Sequence, residues 1–241
     1  MKERGMIFNS EMVRAILDGR KTQTRRIMKV QPKPCNHANW PDYSPDPQWK
    51  SYPGGWCCAV CANGTTIDHR HHAKGITCPY GTVGDRIWVR ETFQGPLFDY
   101  EQMESYLEDS SKFENPEFCQ YAADGKPAPE YYDADDNLRH GWRPSIHMPR
   151  WASRILLEIT NIGIQRIHSI SQNDAAREGL MRLPVTGRYC INQGDQYFGG
   201  ASHDAREVFS WMWQSIYGEE SWNANPWVWV IEFKRIEERA A

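Results

Sequence analysis

At 241 residues with 40% apolar side chains, the chain is long enough to bury one large core or two small ones. A net charge of −3 excludes a uniformly basic coat for nucleic acid. No run approaches the roughly 18 apolar residues of a membrane span, and the N-terminus carries no signal-type apolar stretch, so a cytoplasmic protein with no membrane partner is expected.

The average charge hides an asymmetry. Residues 1–33 hold nine Lys/Arg against three Asp/Glu, whereas residues 94–141 hold twelve Asp/Glu against three Lys/Arg. Such segregation suggests a basic site and an acidic insertion that shields it. Seven cysteines, an odd number, argue against a complete disulfide framework and for reduced thiols or metal ligands.

Met12, Val13, Ile16 and Leu17 share one face of a helix predicted from Ser10 to Asp18, with Asn9 or Ser10 as cap and Gly19 as stop. The block Gly19-Arg20-Lys21-Thr22-Gln23-Thr24-Arg25-Arg26 follows, with four cations and two inner threonines and only Asp18 as a near acid. Two readings stand for it: a solvated basic strand edge, or a site for an anionic or polar ligand. Its second half is predicted extended, with Thr24 and Arg26 on one face and Lys21, Gln23 and Arg25 on the other. Lys21 and Thr24 converge there only across a bulge, a turn or a twisted strand start.

Residues 31–55 lack periodicity and are expected to form a loop. Cys57, Cys58, Cys61, His69, His71, His72 and Cys78 come next, with Cys35 and His37 upstream. Strands are predicted for Arg86–Thr92 and around Ile155–Thr160, and a closing strand for Trp227–Phe233. The acidic segment 94–141 reads as an insertion without a core layer, with a short helix near Tyr100–Leu107. Ser171 to Asp174 has the capping-box pattern, opening a short helix that ends at Glu178 with Gly179 as its stop. Residues 183–200 form a Gly-rich aromatic loop, and Ala205 to Ile216 an amphipathic helix. This order is not a βαβ alternation. It fits an α+β class, with a small, mostly antiparallel sheet or barrel and helices at its ends.

Four ordered blocks carry a family resemblance: residues 19–26, Gly84-Asp85-Arg86-Ile87-Trp88-Val89, Ala175-Ala176-Arg177-Glu178-Gly179, and the Trp227–Phe233 strand after a Trp-bearing helix. Together they resemble the ASCH domain, a PUA-like barrel associated with RNA. The stretch Trp142 to Arg154 makes the chain look most like the longer ASCH proteins of phages and prophages. The resemblance implies a single domain with framework at about 6–33, 80–93, 142–182 and 204–236. Segments 34–79 (Cys/His-rich), 94–141 (acidic) and 183–203 (Gly/aromatic) are additions to it.

A small bacterial member of that family is an N4-acetylcytidine amidohydrolase. The positions matching its site are Lys21, Thr24 and Glu178, with Arg26 matching a further arginine. The resemblance therefore implies an amidohydrolase acting on an N4-acylated cytidine or a related modified nucleoside or nucleobase. The alternatives are a non-catalytic RNA- or modified-base-binding module and an RNA-cleaving enzyme. No cofactor is needed for the hydrolysis, and the expected partner is a small nucleoside or single nucleobase, with RNA as the alternative.

Amide cleavage needs a nucleophile, a base and oxyanion stabilisation. Thr24 offers a hydroxyl, and a neutral Lys21 offers a base once burial or neighbouring cations lower its pKa from about 10.4. Glu178 is either the partner that keeps Lys21 charged and oriented or a proton carrier for water. Arg20, Arg25, Arg26 and Trp151 are candidate substrate contacts, the tryptophan by stacking on a base. Cys58-Ala59-Val60-Cys61 has zinc-knuckle spacing, which Cys35 and Cys78 complete as four thiolates. Cys57 and His37, His69, His71 and His72 offer rival sets. Any such zinc would be structural.

Overall fold

The fold is seen in a computed structural model that describes residues 1–32, 49–52, 55–58, 76–132 and 137–236. Asn9 caps helix α1 (Ser10–Leu17), its side-chain oxygen accepting from the Met12 amide at 2.9 Å. Gly19, at φ +74°, ends the helix, a conformation glycine takes without steric cost. The chain then folds back so that the Lys21 amide donates to the Ala15 carbonyl at 2.9 Å.

Five strands form the main sheet: β1 (Glu3–Ile7), β2 (Gln23–Ile27), β3 (Arg86–Arg90), β4 (Leu156–Arg166) and β5 (Trp227–Ile236). Their spatial order is β1-β3-β4-β5-β2. β1 pairs with β3 in parallel and the other ladders are antiparallel. The class is thus α+β with a mixed sheet. Among the described residues no ladder joins the edge strands β1 and β2. A side chain links them instead: Arg26 Nη2 donates to the Ile7 carbonyl at 2.6 Å, and its guanidinium lies 5.2 Å from the Phe8 ring centre.

The apolar run of β5 is explained by burial on both faces. Trp227, Trp229, Ile231 and Phe233 pack with Phe8, Val13 and Ile16 of the N-terminal segment and with Ile87, Leu157 and Ile159. Val228 and Val230 face a second core formed with Ile167, Ile170 and helix α4 (Ala205–Tyr217). β4 runs six residues beyond the predicted Thr160. The pairing shifts between Ile159 and Asn161, so the alternation that marks its first half is reset there.

The acidic insertion packs more closely than its composition suggests. It contains α2 (Met103–Glu108) and an aromatic knot, with Phe98 stacked on Tyr106 at 4.4 Å and Phe113 4.7 Å from Phe118. Ala123 enters the main core, and Tyr121 is buried with Phe93, Met148 and Ala152. The segment 183–203 contributes two short strands to a three-stranded ladder formed by Met181–Arg182, Tyr189–Cys190 and Ala201–Ser202. Among the described residues the remaining α-helices are α3 (Gln172–Arg177) and α5 (Glu219–Asn223). No helix among the described residues is long and apolar enough to cross a membrane.

Candidate active site

Two distant segments meet where α3 ends. Ser171 caps that helix, accepting from the Asp174 amide at 3.1 Å. Glu178 is its C-cap, and Gly179 at φ +111° turns the chain away. Lys21 and Glu178 form an isolated antiparallel bridge, and the Thr22 amide donates to the Arg177 carbonyl at 3.0 Å. A Cβ at Gly179 would stand 2.9 Å from the Cβ of Ala15 and 3.2 Å from that of Lys21. The close approach of the turn to α1 thus depends on glycine.

The Lys21 side chain is fully buried. Its Nζ donates to the Glu178 carbonyl at 2.8 Å and to Glu178 Oε2 at 2.9 Å. Arg25 Nη1 donates to the other carboxylate oxygen at 2.7 Å. With its carboxamide orientation set by the hydrogen-bond network, Gln165 accepts from Arg25 Nε at 2.9 Å and from Nη2 at 2.7 Å. Asp174 stands 3.9 Å from the same Nη2.

Two buried cations therefore share one buried carboxylate. An uncompensated charge in such a place costs several kcal/mol, and arginine does not release its proton. The proton that leaves most readily is that of Lys21. Its pKa is lowered chiefly by burial, which outweighs the pull of Glu178, with Arg26 and Arg25 adding to the depression. A neutral amine has two N–H donors, both already used by Glu178, and a lone pair free to accept a proton.

Thr24, also buried, lines an adjoining cleft of about 170 Å³ with Arg25, Arg26 and Glu178. The rest of that wall is largely apolar, chiefly Met12 of α1 and Phe209, Met212, Trp213 and Tyr217 of α4. The Thr24 hydroxyl makes no hydrogen bond among the described residues. In particular, none joins it to Lys21, whose observed side-chain partner is Glu178.

Thr24, Arg25, Arg26 and Glu178 line one cleft, and Lys21 lies behind it on Glu178 without being among the lining residues. The other expected contacts are engaged by the protein or lie elsewhere. Arg20 is held by Asp18 at 2.8 Å and by the Gly179 carbonyl. Arg25 is committed to Glu178 and Gln165, so it positions the carboxylate and is not a free grip for substrate. Trp151 packs against the cluster of Phe93, Tyr121, Met148 and Ala152 and is not among the residues lining the cleft. The bland alternative for Arg26, a salt bridge to Glu158 or Glu91, is not formed. Those acids bind Lys234 and Arg154.

Of the proposed zinc ligands, Cys35 and Cys61 and the side chain of Cys58 lie outside the described residues. Cys78 is a half-buried free thiol whose pKa is raised by burial. Among the described residues no group of three or more His, Cys, Asp or Glu is placed to hold a metal ion.

Gln165 was not foreseen, because it lies on the half of β4 beyond the bulge. Gln23 was not foreseen either. Wholly buried, it donates from Nε2 to the Asp174 carbonyl at 2.7 Å and so ties β2 to α3. A glutamine between two cationic or hydroxyl neighbours in a strand gives no signal of its own.

Comparison with family models, with curated proteins and with solved structures gives no match to this chain.

Proposed function

We propose that the chain is an ASCH-type amidohydrolase, built on a PUA-like barrel, that removes the acyl group from N4-acylated cytosine in a nucleoside or free base. The observation that carries this reading is the buried Lys21–Glu178 pair beside a cleft that Thr24 lines. The apolar part of the wall suits the flat face of a pyrimidine, and the polar part suits an amide.

In the proposed reaction the Thr24 hydroxyl attacks the acyl carbonyl and neutral Lys21 takes its proton. Attack requires the Lys21 amine to turn from Glu178 toward Thr24. Lys21 then returns the proton to N4 as the C–N bond breaks, releasing the cytosine amine and leaving the acyl group on Thr24. A water molecule, deprotonated by Lys21, then attacks the acyl carbon of the Thr24 ester, and Lys21 gives that proton to the Thr24 oxygen as the C–O bond breaks and the acid is released. Glu178 holds Lys21 in place, with its own charge balanced by Arg25. Arg26 supplies positive charge near the developing oxyanion.

The test is hydrolysis of N4-acetylcytidine followed by chromatography of released cytidine. Wild type is expected to turn it over, and Lys21→Met to lose about 10²–10⁴-fold, the usual contribution of a general base. Thr24→Ser is expected to retain activity and Thr24→Val to lose it. Absence of turnover across a panel of N4-acylated cytosines contradicts the reading.

Non-catalytic RNA binding finds less support in the site. Arg20 and Arg25 are engaged by protein acceptors, which leaves few free cations in the basic block for phosphates.

A further inference from the structure

A second cavity, of about 280 Å³, opens beside the first and shares Asn9, Met12, Met212 and Glu178 with it. Neither space alone reaches the roughly 300 Å³ at which ligand clefts begin, whereas the two together lie within that range. They differ in chemistry. The first is walled mainly by apolar side chains. The second has Glu11 of α1, Ser215 of α4, and Asn192 and Asp195 from the segment 183–203. Neither Lys, Arg nor His is among its lining residues. Arg20, which donates to the carbonyl of the lining residue Gly179, is already paired with Asp18.

Asp195 is a fixed part of this wall. It closes a capping box with Asn192, whose amide donates to Asp195 Oδ2 at 2.7 Å. That contact holds the loop in place and leaves Oδ1 as an acceptor. Glu11 comes from the first turn of α1, where its charge suits the helix dipole.

We propose that the two cavities are lobes of one cleft, and that the second is a subsite for a donor-rich, non-anionic group attached to the base. This proposal rests on the amidohydrolase reading and adds the substrate class to it. Hydroxyls or an ammonium group can donate to Glu11, Asp195 and the Asn and Ser oxygens, whereas a phosphate in this lobe meets the carboxylates of Glu11 and Asp195 with no Lys, Arg or His in the lining to offset them. Ribose hydroxyls and an amine-bearing acyl chain share this chemistry. The segment 183–203 thus acts as a specificity element that turns a base-sized site into one for a nucleoside or an aminoacylated base.

Four substrates separate these cases: N4-acetylcytosine, N4-acetylcytidine, N4-acetylcytidine 5′-monophosphate, and N4-glycylcytosine. A kcat/KM for N4-acetylcytidine at least tenfold above both the free base and the monophosphate supports the ribose source. The same advantage for the glycyl compound over the acetyl base supports the amine source. In either case, Asp195→Asn, which keeps an oxygen acceptor for the Asn192 amide and removes the charge, is expected to shrink the advantage at least fivefold, and an undiminished advantage overturns the subsite.

Equal kcat/KM for all four substrates overturns the subsite while leaving the amidohydrolase reading intact. If no acylated compound turns over, that reading fails, and calorimetric binding of cytidine and cytidine 5′-monophosphate decides the subsite separately. Tenfold tighter binding of cytidine supports it. Equal binding, or binding of neither, overturns it.

Discussion

Charge count governs the chemistry at Lys21. One carboxylate is shared by a lysine and an arginine, and the neighbour that completes the arginine's hydrogen bonding is a neutral glutamine. Asp174 stands farther off, 3.9 Å from the arginine, so replacing that glutamine by glutamate puts a new carboxylate in direct contact with Arg25, leaves more of Glu178 to Lys21 and favours the protonated amine. Gln165→Glu is therefore expected to move the acid limb of the activity–pH profile to higher pH while leaving the fold intact. An unmoved limb would show that Gln165 has no part in setting the charge of Lys21.

The sign for stability follows from the same depression. Between the folded-state pKa and the usual value of about 10.4, the unfolded chain holds the lysine proton more readily than the folded one. Stability contributed by Lys21 therefore rises with pH through that window and falls as the pH drops through it. Lys21→Met, which keeps the length and removes the charge, is expected to abolish this part of the slope in urea titrations at several pH values. Glu178→Gln acts in the opposite sense, since it takes the close carboxylate from both Arg25 and Lys21 and leaves Arg25 only the more distant Asp174, at 3.9 Å. Breaking such a pair costs about 3–5 kcal/mol, readable as a lower urea midpoint. In the double variant with Lys21→Met, the loss is expected to be smaller than the sum of the two.

At the scale of elements, the site depends on where α1 and α3 stop. Gly179 lies against Ala15 and Lys21 with no room for a methyl group and with positive φ. Gly179→Ala is expected to cost about 1–3 kcal/mol from overpacking and to lower activity, because it pushes Glu178 and Lys21 apart. Ser171→Ala removes only the N-cap, at about 1 kcal/mol, and is expected to leave kcat unchanged. The two variants together separate a positional effect from a loss of helix stability.

The ends of both helices were legible in the sequence, because Asn9, Gly19, Ser171 and Gly179 each announce themselves by residue type. The meeting of Lys21 with Glu178 was legible only through the resemblance, since no spacing rule links residues 157 positions apart. The second half of β4 was not legible. Its bulge breaks the alternation, and Asn161, Gly163, Gln165 and Arg166 then give no apolar period to follow.

On the scale of the whole molecule, the three expected insertions differ in what can be said of them. Most of 34–79 lies outside the described residues. None of the described residues of the acidic segment 94–141 lines either cavity, so these residues do not shield the Lys21 site as the charge suggested. It is fastened to the framework by Arg154, which binds Glu91 and Asp124 and lies 3.9 Å over the Tyr121 ring. Composition concealed this, because the aromatics that pack it are scattered among twelve acids. Arg154→Met is expected to leave Glu91 buried without its cation and to speed proteolytic cleavage within 94–141, seen as an earlier nick on a gel. The segment 183–203 borders the cleft, and Tyr197 and Phe198 beside it are exposed.

The proposed reaction turns on a buried lysine that is easily deprotonated. Its most direct test is a pH titration of the Lys21 side chain by NMR, with selectively labelled lysine and Lys21→Met for assignment. The expected result is a midpoint clearly below that of the surface lysines, and an activity limb that follows it. A Lys21 resonance that stays protonated until the surface lysines lose their own protons would contradict the proposed base.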